Sequence, residues 1–355
     1  MKTKLNAREQ KVLWATIDYY IAKAEPVGSK ALLEGYNFDI SSATIRNVMS
    51  MLDRSGLLYQ PHTSAGRVPS DSGYRVYVDE LINPSSELTD NAAQMLQSKM
   101  GLSGNNSLEQ ILRGVAQILA TLSGCIALIT APDMQTVKIR HLQLVMVDTC
   151  KVMVVAVSDA YHTASVMMDL PSETDAELLE AELQILNNFL NAHLRDKRWS
   201  DLTSTLQWHE LDSKFQQYAT LLQQSLHQLM RIYNPVAVGH FFISGMTELL
   251  RQPEFTQLSQ IQSVIQLLEA DQASLLPLIF DRPESAQPNS VTVKIGSEIS
   301  LEPIKHCTLI STTYSCDRTP VGSVGVLGPT RLDYERAIAS VQAVATHLSE
   351  LIGQW

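Results

Sequence analysis

Apolar positions along the amino-terminal quarter of the chain fall into short helical stripes separated by turn residues. In Ser41–Arg54, Ile45, Val48, Met49 and Leu52 recur at helical spacing, while Arg46, Asn47, Ser50 and Arg54 fall mainly on other faces. Serines at its start offer an N-cap hydroxyl, and Gly56 suits the residue that stops it. Leu57-Leu58-Tyr59 predicts a short strand, His62 to Gly66 a turn, and Arg67-Val68-Pro69 the return strand. Upstream, Asn6 can cap a helix running to about Lys23 with Leu13, Ile17, Tyr20 and Ile21 inward. Pro26 and Gly28 break the chain, and Ser29 is expected to cap a short helix with Leu32 and Leu33 inward. Helix, helix, turn, helix and a two-stranded ribbon is the winged form of helix-turn-helix. Its third helix would enter the major groove, the groove wide enough for a helix and distinctive for every base pair.

Within that frame the candidate DNA-binding residues follow by position. Ser29 and Ser42, at helix starts, can orient phosphates on backbone N–H groups. Arg46 and Asn47 are candidates for base edges, with Thr44 and Ser50 beside them. His62, Thr63, Ser64, Gly66 and Arg67 would set the wing against the backbone or minor groove. Each alone reads equally well as a solvated polar side chain.

After Asn83-Pro84 the composition turns polar up to about Ser107, with a helix available over 86–100 and a hinge over Gly101 to Asn106. Leu108 to Leu122 is helical by spacing. Cys125–Thr130, Ile139–Val147, Lys151–Val157 and Thr163–Met168 are strand-like, with gaps too short for crossover helices, so an antiparallel meander is expected. From Pro171 two leucine stripes take over: Leu179, Leu183, Leu186, Leu190 and Leu194, then Phe215, Tyr218, Leu222, Leu226 and Leu229. Two readings stay open. The helices cover the sheet, or they form a subunit interface through Leu179, Leu183, Leu186, Leu190, Phe215, Tyr218 and Leu222. Helices over 236–250 and 257–270, strands around 291–295, 307–314 and 321–327, and a last helix capped by Thr330 with Asp333 at N3 complete the pattern.

At 355 residues the chain predicts two or three domains. The start lacks the apolar core of a signal peptide and no apolar run suits a membrane span, so cytoplasmic residence is expected. Cys125, Cys150, Cys307 and Cys316 form no C-x-x-C pair and read as buried free thiols; no metal site or cofactor is expected. The net charge of −10 argues against nucleic acid until its distribution is seen. Residues 1–82 hold ten Lys and Arg against nine Asp and Glu, while the acid excess lies in the remainder. That modest balance suits a dimer that adds two weak footprints. No metalloprotease, P-loop or nucleophile-elbow pattern occurs, so the chain is not expected to be an enzyme.

The blocks EPVGSKAL, SSATIRNVMSMLDRSGLL and QPHTSAGRVPSDSGYRVYVDEL strongly resemble the heat-inducible transcription repressor HrcA family, and VKIG at 293–296 and GVLGPTRLDYERAI at 325–338 agree. Val48 departs from the family pattern, in which an acidic residue often follows the Arg-Asn pair. The resemblance implies an α+β chain: a winged helix-turn-helix DNA-binding domain (1–82), a linker (83–107), and a GAF-like sheet domain in two parts (108–171 and 236–355). Between those parts it implies an inserted helical dimerisation domain (172–235). It further implies a homodimeric repressor of heat-shock chaperone genes that binds the inverted-repeat CIRCE operator in double-stranded DNA. The GroEL chaperonin would maintain its activity, which heat stress removes. The rival reading within regulation is a small-molecule-gated repressor with the GAF-like domain as sensor; a rival of another class is a protein-binding winged helix.

Overall fold

The computed structural model describes residues 5–62, 65–82, 86–100, 108–132, 138–158, 163–170, 176–198, 216–233, 241–255, 258–280, 290–316 and 319–353. The chain forms two compact units. One contains Met1–Ile129, Phe241–Tyr314 and Ser323–His347; the other contains Thr130–His240, Ser315–Gly322 and Leu348–Trp355. Helices and sheets are mixed throughout, as the α+β expectation requires.

The first unit opens with α1 (Ala7–Lys23). Asn6 accepts the backbone N–H groups of Arg8 and Glu9, both at 3.0 Å, and the Glu9 carboxylate returns to the Asn6 N–H at 2.9 Å. This reciprocal pair satisfies N–H groups that the helix itself leaves orphaned. Short α2 (Ser29–Gly35) and then α3 (Ser42–Arg54) follow, and an antiparallel ribbon of β1 (Leu58–Tyr59) and β2 (Val68–Pro69) closes the set. Leu13, Ile17, Leu32, Ile45, Leu52 and Leu58 fill the small core between them. Two expectations change. Gly28, not Ser29, is the N-cap of α2, and Leu33 points outward, because a helix of two turns has room for one inward leucine.

Ser70 then caps α4 (Asp71–Val76), accepting the Gly73 N–H at 3.1 Å, and α4 runs into a π-helical turn, Tyr77–Leu81. Helix α5 (Ser86–Met100) occupies the span expected of it; the hinge expected over 101–106 lies outside the described residues. Helix α6 (Leu108–Ser123) leads into β3 (Ile126–Thr130).

The second unit is built on an antiparallel meander of β4 (Ile139–Asp148), β5 (Lys151–Ser158) and β6 (Thr163–Asp169). Alternate residues of β6 are buried, the period-two pattern of a sheet with one covered face. The cover is supplied by α7 (Ala176–Leu194), lying along β4, and α8 (Gln216–Tyr233), lying along β6. One hydrophobic cluster joins Leu142, Leu144, Val154 and Met168 to the leucines of both helices. The division expected from the sequence is therefore corrected: the meander shares a unit and a core with the helices, instead of continuing the sheet domain.

The interface expectation changes with it. Leu179, Leu183, Leu186, Leu190, Tyr218 and Leu222 are at most 4% exposed in the chain's own core, so they have almost no surface left for a second subunit. Phe215 lies outside the described residues. The outer edge of β4 is closed by α7 as well. Asn191 accepts the Leu142 N–H at 3.0 Å and donates to the Leu142 carbonyl at 2.6 Å; Asn187 does the same for Leu144 at 2.6 and 3.2 Å. Two amides one helical turn apart thus satisfy backbone groups that an edge strand would otherwise expose.

Back in the first unit, β7 (Phe241–Ser244) replaces part of the helix expected over 236–250. Its two aromatics and one β-branched residue suit a strand, and Gly245, at φ +87°, turns the chain out of it. Helices α9 (Met246–Leu250), α10 (Leu258–Ala270) and α11 (Leu276–Ile279) precede β8 (Thr292–Ile295), β9 (Cys307–Cys316) and β10 (Thr319–Pro329). The five strands order as β7-β3-β10-β9-β8. Ile126, Leu128, Cys307 and Leu309 pack with α10 and α11. Thr308 faces the other way and bonds at 3.1 Å to the Tyr334 hydroxyl at the start of α12 (Tyr334–Gly353). Asp333 caps α12 through the Arg336 N–H at 3.1 Å, one turn later than the Thr330 cap expected.

Candidate nucleic-acid interface

Helix α3 separates its two faces as its sequence dictates. Ser41 accepts the Thr44 N–H at 3.2 Å, which fixes the first turn and therefore the phase of every side chain after it. Ile45, Val48, Met49 and Leu52 are buried. Val48 belongs to this stripe, so its apolar side chain matches its surroundings. On the opposite face Ala43, Arg46, Asn47, Met51 and Arg54 are exposed, with Ser50 half-buried among them. Among the described residues the side chains of Arg46, Asn47 and Arg54 have no hydrogen bond or ion pair. The Ser50 hydroxyl donates to the Arg46 carbonyl at 3.0 Å and keeps its lone pairs for an incoming donor.

The remaining candidates divide into groups that face outward and groups that hold the reader together. Ser29 is 6% exposed, and its hydroxyl meets that of Ser42 at 3.0 Å, tying the start of α2 to the start of α3. The hydroxyl is thus an internal tie, whereas the phosphate contact expected at Ser29 concerns the backbone N–H groups; Ser42 and Thr44 flank the exposed face, half-buried. Gly66 is needed where it stands because a Cβ there would lie 2.4 Å from the Val27 carbonyl oxygen. That close approach comes from paired hydrogen bonds between Val27 and Arg67 at 2.9 and 2.8 Å, which bind the ribbon to the α1–α2 connection.

Arg67 is also spoken for. Its Nε lies 2.9 Å from Asp53 Oδ2, with both side chains partly covered. The pair offsets the charge of Asp53, the acidic residue of α3 itself, leaving Arg46 and Arg54 to set the sign of the exposed face. Gly66 and Arg67 thus position α3 and the ribbon, beside the wing role expected of them. His62 is exposed at the ribbon tip, while Thr63 and Ser64 lie outside the described residues.

Residue-by-residue reading of the sequence passed over Ala43, Met51 and Arg54 as site residues. Met51 is 51% exposed, the large apolar side chain on an otherwise polar reading face. The signal was present in the spacing, since 43, 47, 51 and 54 repeat at three and four residues. Among the described residues no group of His, Cys, Asp and Glu could hold a metal ion. Burial pushes the thiols of Cys125 and Cys307 up to about 12, which leaves them protonated and unreactive.

A helix presenting bases-sized polar side chains beside a ribbon is a surface for recognition, and comparison with known proteins gives the class: a transcription repressor. A protein of Trichormus variabilis named heat-inducible transcription repressor HrcA is 53% identical, over 99% of both chains. Its counterparts in Anabaena sp. (strain L31) and a Cyanothece species, which carry the same name, are 52% and 49% identical over at least 99% of both chains. The family described as HrcA protein C terminal domain matches residues 109–338. The chain belongs to the HrcA family of heat-inducible transcription repressors; its activity is regulation of transcription, not catalysis. One crystal structure, described as that of a hypothetical protein, shares the fold over 99% of both chains with a TM-score of 0.64 and 23% identity. Among the described residues no helix is long and apolar enough to cross a membrane.

Proposed function

We propose that the first 82 residues form a winged helix-turn-helix that reads the CIRCE inverted repeat, α3 lying in the major groove. Two subunits of a homodimer each take one half-site. Arg46 and Asn47 offer the bidentate donors and acceptors suited to guanine and adenine edges; Ala43 and Met51 lie where a thymine methyl would be met. Arg54, His62 and the start of α3 serve the phosphates. The five-stranded sheet with its flanking helices is read as the GAF-like domain. The second unit is read as the inserted dimerisation domain, with exposed Leu178 and Ile185 on α7, not the buried leucine stripe, as the apolar groups available to a partner subunit. The repressor acts in the cytoplasm on heat-shock chaperone genes. GroEL maintains it, and heat diverts GroEL to unfolded clients.

The observation that carries this reading is the open face of α3: among the described residues the side chains of Arg46, Asn47 and Arg54 on it have no partner, while Ile45, Val48, Met49 and Leu52 on the opposite face are committed to the core. Titration of the purified protein with an inverted-repeat duplex, a single half-site and a scrambled duplex at moderate salt tests it. Two subunits should bind the full repeat, far more tightly than scrambled DNA. Equal affinity for all three duplexes would overturn it. Adding GroEL should raise the fraction of repressor able to bind.

A further inference from the structure

Three stretches meet at one joint that base reading does not use: Asp71–Asp79, Val293–Glu298 and Arg331–Tyr334. The Arg75 guanidinium makes a two-pronged pair with Glu298, Nε to Oε1 at 2.8 Å and Nη2 to Oε2. It also donates to the Val293 carbonyl at 2.5 Å and to Asp79 at 3.2 Å. Glu298 is held in turn by the Ile295 N–H at 2.9 Å. Asp71 accepts the Ser297 N–H at 2.9 Å and lies so close to Gly296 that a Cβ there would fall 2.4 Å from its carboxylate.

A second arginine works at another point of the reader. Arg331 donates to the Ile21 carbonyl at 2.9 Å, one of the last-turn carbonyls that α1 cannot satisfy itself, and is fixed by Glu254 and by Gln252 at 3.0 Å. Between the two arginines, Tyr74 and Tyr77 pack on Tyr334 with ring centres 5.7 and 6.2 Å apart, all three buried. One contact would leave a pivot. Two charged clamps on different helices with an aromatic stack between them fix an orientation. In that orientation the reading face of α3 stays exposed.

We propose that Arg75 and Arg331 are positioning residues for operator recognition, holding the reader at a set angle to the five-stranded sheet so that two readers in a dimer meet half-sites at one spacing. This rests on the proposed reading of α3. A dimer must match half-sites about one helical turn or a multiple of it apart, so angular freedom in either reader spreads the population over spacings the operator does not have.

The test uses the full chain with Arg75→Gln, Arg331→Gln and Arg75→Lys, and duplexes holding one half-site, the full repeat, or repeats with the spacer changed by about one to five base pairs. The glutamine variants should bind the single half-site like the parent, bind the full repeat about tenfold more weakly, and lose spacer preference. Arg75→Lys should recover part of that preference. Unchanged spacer preference, tighter binding of the full repeat, or loss of half-site and full-repeat binding in equal measure would each overturn the proposal. Hydrogen exchange of the Ile295 and Ser297 amides reads the joint without DNA. If the parent chain binds no duplex specifically, the reading of α3 fails. Faster exchange in Arg75→Gln would then still support the clamp, and unchanged exchange would sink it.

Discussion

Helices α3 and α7 look alike as sequences and serve opposite ends. Each carries an apolar stripe at three- and four-residue spacing with polar residues around it. In α3 the stripe closes a small core and the polar face stays open. In α7 the stripe closes a larger core, while Asn187 and Asn191, from the polar remainder, turn inward to bond the edge of β4. Periodicity says which residues of a helix will be covered. It does not say by what, and it cannot tell a side chain that waits for a partner from one that already has it in the same chain.

The sharpest way to break this comparison is Leu186→Ala. Leu186 is fully buried among the α7, α8 and meander side chains, so the substitution leaves a cavity and should cost about 2–5 kcal/mol. Chemical denaturation should show that loss at every protein concentration. A variant that keeps the stability of the subunit and merely dissociates would restore the leucine stripe to the interface role.

The same test on the reader should give the reverse result. Arg46→Ala and Asn47→Ala remove exposed side chains and should leave stability within about 0.5 kcal/mol. Specific binding should weaken by about 1–3 kcal/mol for each, as befits contacts to base edges. Titration against operator and random duplexes decides between roles, since an equal loss on both would assign these residues to phosphate.

Much of the fold was legible. Asn6 before α1, the serines before α3, and the strands of the meander are local signals, settled within a few residues. What stayed hidden is what local chemistry cannot encode. Arg75 and Glu298 are 223 positions apart, so neither announces the other. Ser29 read as a helix cap and a phosphate-orienting residue because its position allowed both, while the tie of its hydroxyl to Ser42 depends on how α2 packs on α3. Phe241 and Phe242 fit a helix as well as a strand until a sheet edge is present to receive them. At the site, the exposed face of α3 was readable from spacing, whereas the service of Arg67 to Asp53 needed the ribbon's position.

Asn191→Leu probes the middle ground, a polar residue on a buried task. The change keeps volume but leaves the Leu142 N–H and carbonyl facing a methyl group. The expected cost is about 1–2 kcal/mol, read in the unfolding of the second unit, because a buried backbone group without a partner forfeits its hydration. An unchanged midpoint would mean that water serves the strand edge as well as the amide does.

The smallest effect separates the reader's two polar surfaces by acid. Burial alone would raise the Glu298 carboxyl, but the hydrogen bonds from Arg75 and Ile295 and the charge of Arg75 outweigh it and hold the group below its ordinary value. A carboxyl lowered in the folded state contributes stability above its unfolded pKa of about 4.3, and that contribution is lost as pH falls through the lower folded value. Glu298 is partly exposed, so solvent screening keeps the contribution modest. Exchange at the Ile295 amide, corrected for intrinsic rates, should therefore accelerate as pH drops below that range, and Glu298→Gln should remove the dependence. The α3 face should not follow, because Glu298 bonds to Arg75 and the Ile295 N–H and to no side chain of α3. Equal acid sensitivity at both surfaces would mean the whole reader is loosening, and the distinction between a fixed joint and an open face would fall.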